Sequence, residues 1–349
     1  MRARLLLFGL TLSLSAAPAF DVSGLSAFWP VWDELRQNRE PSRAAWDSLF
    51  ATPGYAQLET REHRRRAIET AIRAAAEPTQ SGLRDSILKT GGFGARSFRH
   101  LLGLAAARDS LAAFQRTLLT SGVIEGARRA VSAYLPRGLT DSVAPPPIAL
   151  IFFADDGRGY PDLVIVDLLR LMRTGIDTGF FAHELFHYYR RKIPGSDAAL
   201  DPRDEGIDEL LAYPAEEGIA DQLDKRRWIR GPLDPVAPPY AAEYRAAYND
   251  ASGQMARVSH ALELAVTPND SATAVARRTR DSLPDQGRAL GAYMAATIDS
   301  VFGRPALIAV VRTPFQFWLR YDSAAARVPG APRLSSHARR TLVRLDAKR

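Results

Sequence analysis

Asp177-Thr178-Gly179-Phe180-Phe181-Ala182-His183-Glu184-Leu185-Phe186-His187-Tyr188-Tyr189-Arg190-Arg191-Lys192 is the stretch on which the reading of this chain turns. Asp177-Thr178 can cap a helix and Pro194-Gly195 stops one, so the segment predicts a helix reaching about Lys192. Inside it, His183-Glu184-Leu185-Phe186-His187 has the form H-E-x-x-H. Residues i and i+4 share a helix face, so both imidazoles can reach one metal ion, and Glu184 flanks the same edge. Phe180, Phe181, Leu185 and Phe186 make this a buried helix, and two imidazoles and a carboxylate in apolar surroundings need partners. Zinc fits such donors: it accepts neutral imidazole and carboxylate in tetrahedral geometry and keeps one position open in catalytic sites.

The rest of the composition narrows the chemistry further. The chain has 349 residues and no Cys, which removes disulfide frameworks, zinc knuckles, iron–sulfur sites and thiol nucleophiles together. Any metal must be held by His, Asp and Glu. Apolar residues make up 46%, an ordinary globular proportion, and the length calls for one large domain or two ordinary ones. At the N-terminus, Met1-Arg2-Ala3-Arg4, an apolar run from Leu5 to about Ala16 and Ala17-Pro18-Ala19 form the pattern of a signal peptide over residues 1–19. A secreted or periplasmic location is expected, with no stable membrane insertion after cleavage, because the run is too short to span a bilayer. Loss of Arg2 and Arg4 lowers the formal net charge from +7 to +5. The clusters Arg64-Arg65-Arg66 and Arg190-Arg191-Lys192 sit in helical patterns and read as solvated faces, so no nucleic-acid partner is expected.

Residues 20–145 read as a helical region, with Ile68, Ala71, Ile72 and Ala75 on one helix side and Phe28, Trp29, Trp32, Trp46 and Phe50 as core aromatics. After Pro145-Pro146-Pro147 the texture changes: 148–153 and 163–166 read as two short strands joined by a turn. Residues 146–230 form the expected catalytic core. It holds the histidine helix, a polar loop over 196–208 and a second helix over about 215–228, starting just past Pro214. A Pro-rich linker, 231–239, opens a C-terminal helical region, 231–349, whose clearest helical stretches are 288–302 and 305–321.

A third ligand is required downstream. Tyr188-Tyr189-Arg190-Arg191 follows the second histidine, which excludes a metzincin continuation. The next acidic cluster on a predicted helix is Glu216-Glu217-Gly218-Ile219-Ala220-Asp221, where Glu217 and Asp221 share a face. Small Gly218 and Ala220 would let this helix approach the histidine helix closely. Glu216 remains an alternative ligand, since helix phase is uncertain by a residue.

H-E-x-x-H followed by a helix carrying E-x-x-x-D resembles the gluzincin pattern of thermolysin-like metallopeptidases. More closely, the chain resembles a secreted zinc-dependent peptidase family of unknown function. The likeness lies in Trp46-Asp47 through Pro53-Gly54-Tyr55, the H-E-x-x-H, Glu217 to Asp221, and the late stretch 294–321. The resemblance implies an α+β, predominantly α-helical fold, with a zincin-like catalytic centre, a small β-sheet edge and helical flanks. It implies Zn2+ held by His183, His187 and Glu217, with Asp221 orienting His183, Glu184 as general base, and a peptide or protein as substrate. Two departures matter. The thirty-residue interval from His187 to Glu217 is longer than in thermolysin-like enzymes, and the aminopeptidase segment G-x-M-E-N is missing, which favours an endopeptidase.

Another zinc-dependent amide or ester hydrolase would use the same residues; a catalytically silent zinc-containing binding module would have no use for Glu184. Peptide hydrolysis also needs an electrophile for the developing oxyanion, with His260, Tyr240, Tyr244 and Tyr293 as candidates. Peptides often add as a strand to a sheet edge, which 148–153 or 163–166 would supply if they are not plain core strands. His63, His100 and His337 lack metal-spaced companions and read as structural or exposed.

Overall fold

The computed structural model describes residues 19–62, 64–77, 79–194, 205–233, 240–265 and 270–347. The signal peptide expected over 1–19 (all but Ala19), His63, and most of the expected 196–208 loop and 231–239 linker lie outside the described residues. The fold is α+β and predominantly helical, as the sequence implies, with helices on both sides of a four-stranded sheet in the chain order.

The sheet consists of β1 (Phe20–Asp21), β2 (Ile148–Ile151), β3 (Gly157–Gly159) and β4 (Val164–Asp167), in the order β1-β2-β4-β3. Both predicted strands are present, yet they are parallel neighbours, Ile148 opposite Val164, whereas a turn between them implied a hairpin. The antiparallel partner of β4 is β3, with Gly157 opposite Val166 and Gly159 opposite Val164. Gly-Arg-Gly lacks the apolar alternation and β-branched residues that mark a strand, so this element reads as turn in the sequence. Every residue of β2 and β4 is buried, which is why they appear as unbroken apolar runs.

The N-terminal aromatics pack as expected: Phe28, Trp32, Trp46 and Phe50 are buried, and the Phe28 ring lies 4.9 Å from Phe152 just beyond β2. Tyr55 is buried against the same end of the sheet, its hydroxyl donating to the Phe152 carbonyl at 2.7 Å. A continuous apolar core runs from Phe20 to Leu345, so both helical flanks pack into the same interior as the sheet.

Three helices build the site. The histidine helix spans Thr178–Lys192, with Asp177 accepting from the Gly179 N–H at 2.8 Å, as the capping residues predict. The acidic helix spans Glu205–Asp224 and runs through Pro214, where the sequence reading started it. Buried Leu210 and Leu211 anchor the turn before the proline, and Trp318 donates to the Leu211 carbonyl at 2.9 Å. Tertiary packing therefore overrides the local break. The arginine helix spans Arg288–Phe302, as predicted; the later stretch divides into Arg304–Ile308 and Pro314–Ala325, the second starting at its proline.

Gly218 faces the arginine helix, and the expectation that it would meet the histidine helix is corrected. A Cβ on Gly218 would overlap the Gly291 backbone, and one on Gly291 would overlap the backbone of Pro214. The small residue between the histidine and acidic helices is Gly179, whose Cβ would fall 2.8 Å from the Leu223 carbonyl oxygen. These glycine contacts bring the histidine helix and the arginine helix close against the acidic helix.

Candidate metal centre

The two histidines are almost fully buried, and their Nε2 atoms lie 3.1 Å apart. Glu217 completes a triangle, with Oε2 at 3.4 Å from His183 Nε2 and Oε1 at 3.3 Å from His187 Nε2. A tetrahedral zinc with bonds of about 2.0–2.1 Å places its ligand atoms about 3.3 Å apart, so this donor set fits the ion in chemistry and in size. His183, Asp221 and Asp224 form a second group with metal-like spacing. There, however, Lys225 Nζ already stands 2.9 Å from Asp221 and 2.8 Å from Asp224, and supplies the cation those carboxylates need.

Each histidine is held from behind by a carboxylate. His187 Nδ1 lies 3.0 Å from Glu216 Oε1, and His183 Nδ1 lies 3.2 Å from Asp224 Oδ1. With Nδ1–H donating outward, the Nε2 lone pairs face the triangle. Glu216 is thus placed behind His187 and outside the donor triangle. Arg190 fixes it at 3.0 Å and also donates to the Val311 carbonyl at 2.9 Å. Arg190 is therefore buried, in contrast to the solvated face expected of it, while Arg191 and Lys192 are exposed.

Asp221 is fully buried at 3.4 Å from His183 Nδ1, farther than Asp224, which the sequence reading missed. Asp221 mainly gathers other groups: the Tyr244 hydroxyl donates to it at 2.6 Å, and Arg288 spans it with Nε and Nη2 at 3.0 and 2.8 Å. Arg288 Nη2 continues to Glu217 Oε2 at 3.0 Å and His183 Nε2 at 3.1 Å.

These contacts set the charges. Burial pushes Glu217 toward its neutral form, but Arg288 and the two histidines hold its carboxyl well below the usual range. Burial likewise opposes ionisation of Glu216, and the His187 hydrogen bond with Arg190 brings it down to about 2. Burial disfavours the His183 cation, yet Asp224 outweighs it and raises the imidazole to about 9. A metal ion binding here has to displace that proton.

Glu184 lines a cavity of about 210 Å³ together with Phe180, His183, Asp224, Tyr240 and Arg288. β3 packs directly over Glu184. A Cβ on Gly157 would lie 2.6 Å from Phe180 and 3.0 Å from Glu184 Oε1, and one on Gly159 would lie 3.1 Å from His187 Cβ. The sheet's end strands are β1 and β3, of which β3 lies at the site, whereas the runs 148–153 and 163–166 supply the interior strands β2 and β4. Of the expected electrophiles, Tyr240 lines the cavity and packs against Trp228, and Tyr244 is committed to Asp221. Tyr293 packs between Tyr248 and Tyr321, and His260 is exposed beside Glu263; neither joins the site.

Arg288 is the largest omission of the sequence reading. It follows Asp285, Gln286 and Gly287, three consecutive residues with φ of 44°, 53° and 86°. Such a turn costs strain at the first two positions and swings the chain sharply into the arginine helix. Gly287 alone was a visible signal of it.

The chain matches, over residues 46–329, the profile of the family described as "Putative zinc dependent peptidase (DUF5700)". No curated protein and no solved structure matches it. The matched span holds the donor triangle, Glu184, and the carboxylates and Arg288 around them, and the description names the cofactor that this donor set fits. The chain belongs to this family.

Proposed function

We propose that the chain is an exported zinc endopeptidase of gluzincin type. The observation that carries the reading is the convergence of His183, His187 and Glu217 within 3.1–3.4 Å, with Glu184 lining the adjoining cavity. His183 and His187 would hold zinc through Nε2 and Glu217 through its carboxylate. When bound, the ion supplies Lewis acidity to the scissile carbonyl and lowers the pKa of a coordinated water. Glu184 takes a proton from the attacking water and returns it to the leaving amine. Arg288, already against two of the donors, is placed to stabilise negative charge developing on the carbonyl oxygen. Asp224 and Glu216 keep both imidazoles in the tautomer the site uses. The outer edge of β3, where side chains of Asp156, Arg158 and Arg191 hold the backbone groups of Gly157 and Gly159, can receive the peptide as an added strand once those contacts are exchanged. Export rests on residues 1–19, and endopeptidase action on the missing G-x-M-E-N segment.

Zinc content and peptide hydrolysis of the mature chain beside Glu184→Gln test the reading. Stoichiometric zinc in both, with hydrolysis lost in the variant, is the expected result. Equal hydrolysis in both, or zinc in neither, overturns it. Ester and non-peptide amide substrates in the same assay separate a peptidase from a broader hydrolase.

A further inference from the structure

A second cavity, of about 340 Å³, adjoins the first and shares Asp155 and Asp156 with it. Arg96, Arg99, Arg158 and Arg173 line it, along with His100. The two acids have their own arginines: Arg158 pairs with Asp156, and Arg170 lies 3.9 Å from Asp155. The lining carries four arginines against two carboxylates, a surplus of two positive charges, and among the described residues Arg96, Arg99 and Arg173 have no carboxylate partner.

One of these is built in. His100, 5% exposed, holds Asp167 through Nε2 at 2.8 Å, and its Nδ1 accepts from Arg173 at 3.2 Å. Asp167, the last residue of β4, also accepts the N–H groups of Phe153 at 2.8 Å and Arg170 at 2.9 Å. A buried histidine, structural as expected, thus ties an exposed guanidinium to the end of the sheet. The helix Leu168–Thr174 separates the two cavities, with Arg170 and Thr174 facing the catalytic one and Arg173 the other. Asp155 and Asp156, just before β3, line both cavities, and Arg158 of β3 lines the second, so the start of that strand lies where the two cavities meet.

We propose that the arginine-lined cavity is a substrate subsite that takes an acidic side chain of the peptide, a few residues from the scissile bond. Guanidinium groups pair with carboxylates through charge-assisted, often bidentate hydrogen bonds, and a cleft concentrates their field. The subsite rests on the peptidase reading, and two measurements keep their failures apart. In the first, the zinc-loaded chain digests a randomised peptide mixture and the residues flanking each cut are read by mass spectrometry. Asp and Glu are enriched at one displaced position, and Arg96→Glu/Arg99→Glu abolishes that enrichment or turns it toward Lys and Arg. Identical profiles for the two proteins overturn the subsite.

The second measurement needs no hydrolysis. Fluorescent peptides differing only by Glu or Gln, each as free acid and as amide, are titrated onto the Glu184→Gln protein. The Glu peptides bind on the order of tenfold tighter, the preference weakens with salt, and it disappears with Arg96→Glu/Arg99→Glu. Equal binding of Glu and Gln peptides, or a preference that follows the terminus alone, overturns the assignment even if no peptide is cleaved.

Discussion

Nη2 of Arg288 lies 3.1 Å from Nε2 of His183. The same nitrogen reaches Glu217 and Asp221, so one guanidinium joins two donors of the metal triangle to the acid behind them. A positive group held there, in a site shielded from water, is worth more to a developing oxyanion than the same group in solvent. Replacing Arg288 by Ala should lower kcat/KM by about a hundredfold to a thousandfold while zinc is retained. Arg288→Lys should recover part of the loss, since it keeps the charge and forfeits the two-pronged grip on Asp221. The measurement is kcat/KM beside metal content on the same samples; wild-type kcat/KM in the zinc-loaded Ala variant would contradict the assignment.

Glu216 and Glu217 are adjacent, yet they face different atoms of the histidines. Glu217 approaches both Nε2 atoms, while Glu216 approaches only Nδ1 of His187. Glu217→Gln should therefore strip the protein of zinc during gel filtration. Glu216→Gln should keep the ion with affinity reduced by about ten- to a hundredfold, as loss of a carboxylate behind a ligating histidine does. Competition with a chelator of known affinity measures both, and the reverse order would make Glu216 the ligand.

The sequence carried the donor triangle because a helix converts spacing into geometry: His183 and His187 at i, i+4, and a downstream acid on another helix. The carboxylates behind the histidines were less legible. Asp224 lies one turn beyond Asp221, and choosing between them depends on the angle at which two helices cross. The pattern of small residues was visible, but Gly218 serves a contact with Gly291 that sequence separation hides. Pro214 obscured the acidic helix by breaking the local rule where tertiary packing overrides it. Arg190 shows the same limit for charge: in a run of basic residues only the one that reaches both Glu216 and the Val311 carbonyl is buried. Arg288 was least legible, since its position rests on a left-handed turn that its neighbours Asp285 and Gln286 do not announce.

β3 makes a sharp case for a steric requirement. At Gly157 an alanine would press on Phe180 and Glu184, and at Gly159 on His187 and the Glu184 carbonyl. Gly157→Ala should cost about 1–3 kcal/mol of stability through overpacking against the Phe180 ring, with a disproportionate loss of kcat because Glu184 Oε1 is crowded beside it. Urea unfolding beside steady-state kinetics separates the two effects. Wild-type kcat in the alanine variant would show that Glu184 has room the structure denies it.

Acid should act on the zinc-free protein through Glu216. Its carboxyl falls from the usual 4.5 to about 2 in the folded chain, where burial is outweighed by His187 and Arg190. Between those values the unfolded chain binds the proton and the native chain does not, so the interaction is fully stabilising above about pH 4.5. It is lost progressively as pH falls through about 2. The shift corresponds to on the order of 3 kcal/mol. Chelator-treated wild type and Glu216→Gln, unfolded by urea from pH 6 downward, should therefore converge in stability as the pH approaches 2. The difference between them isolates this carboxyl from other groups that titrate in both proteins. A gap that stays constant with pH would show that Glu216 is not held in its charged form by His187 and Arg190.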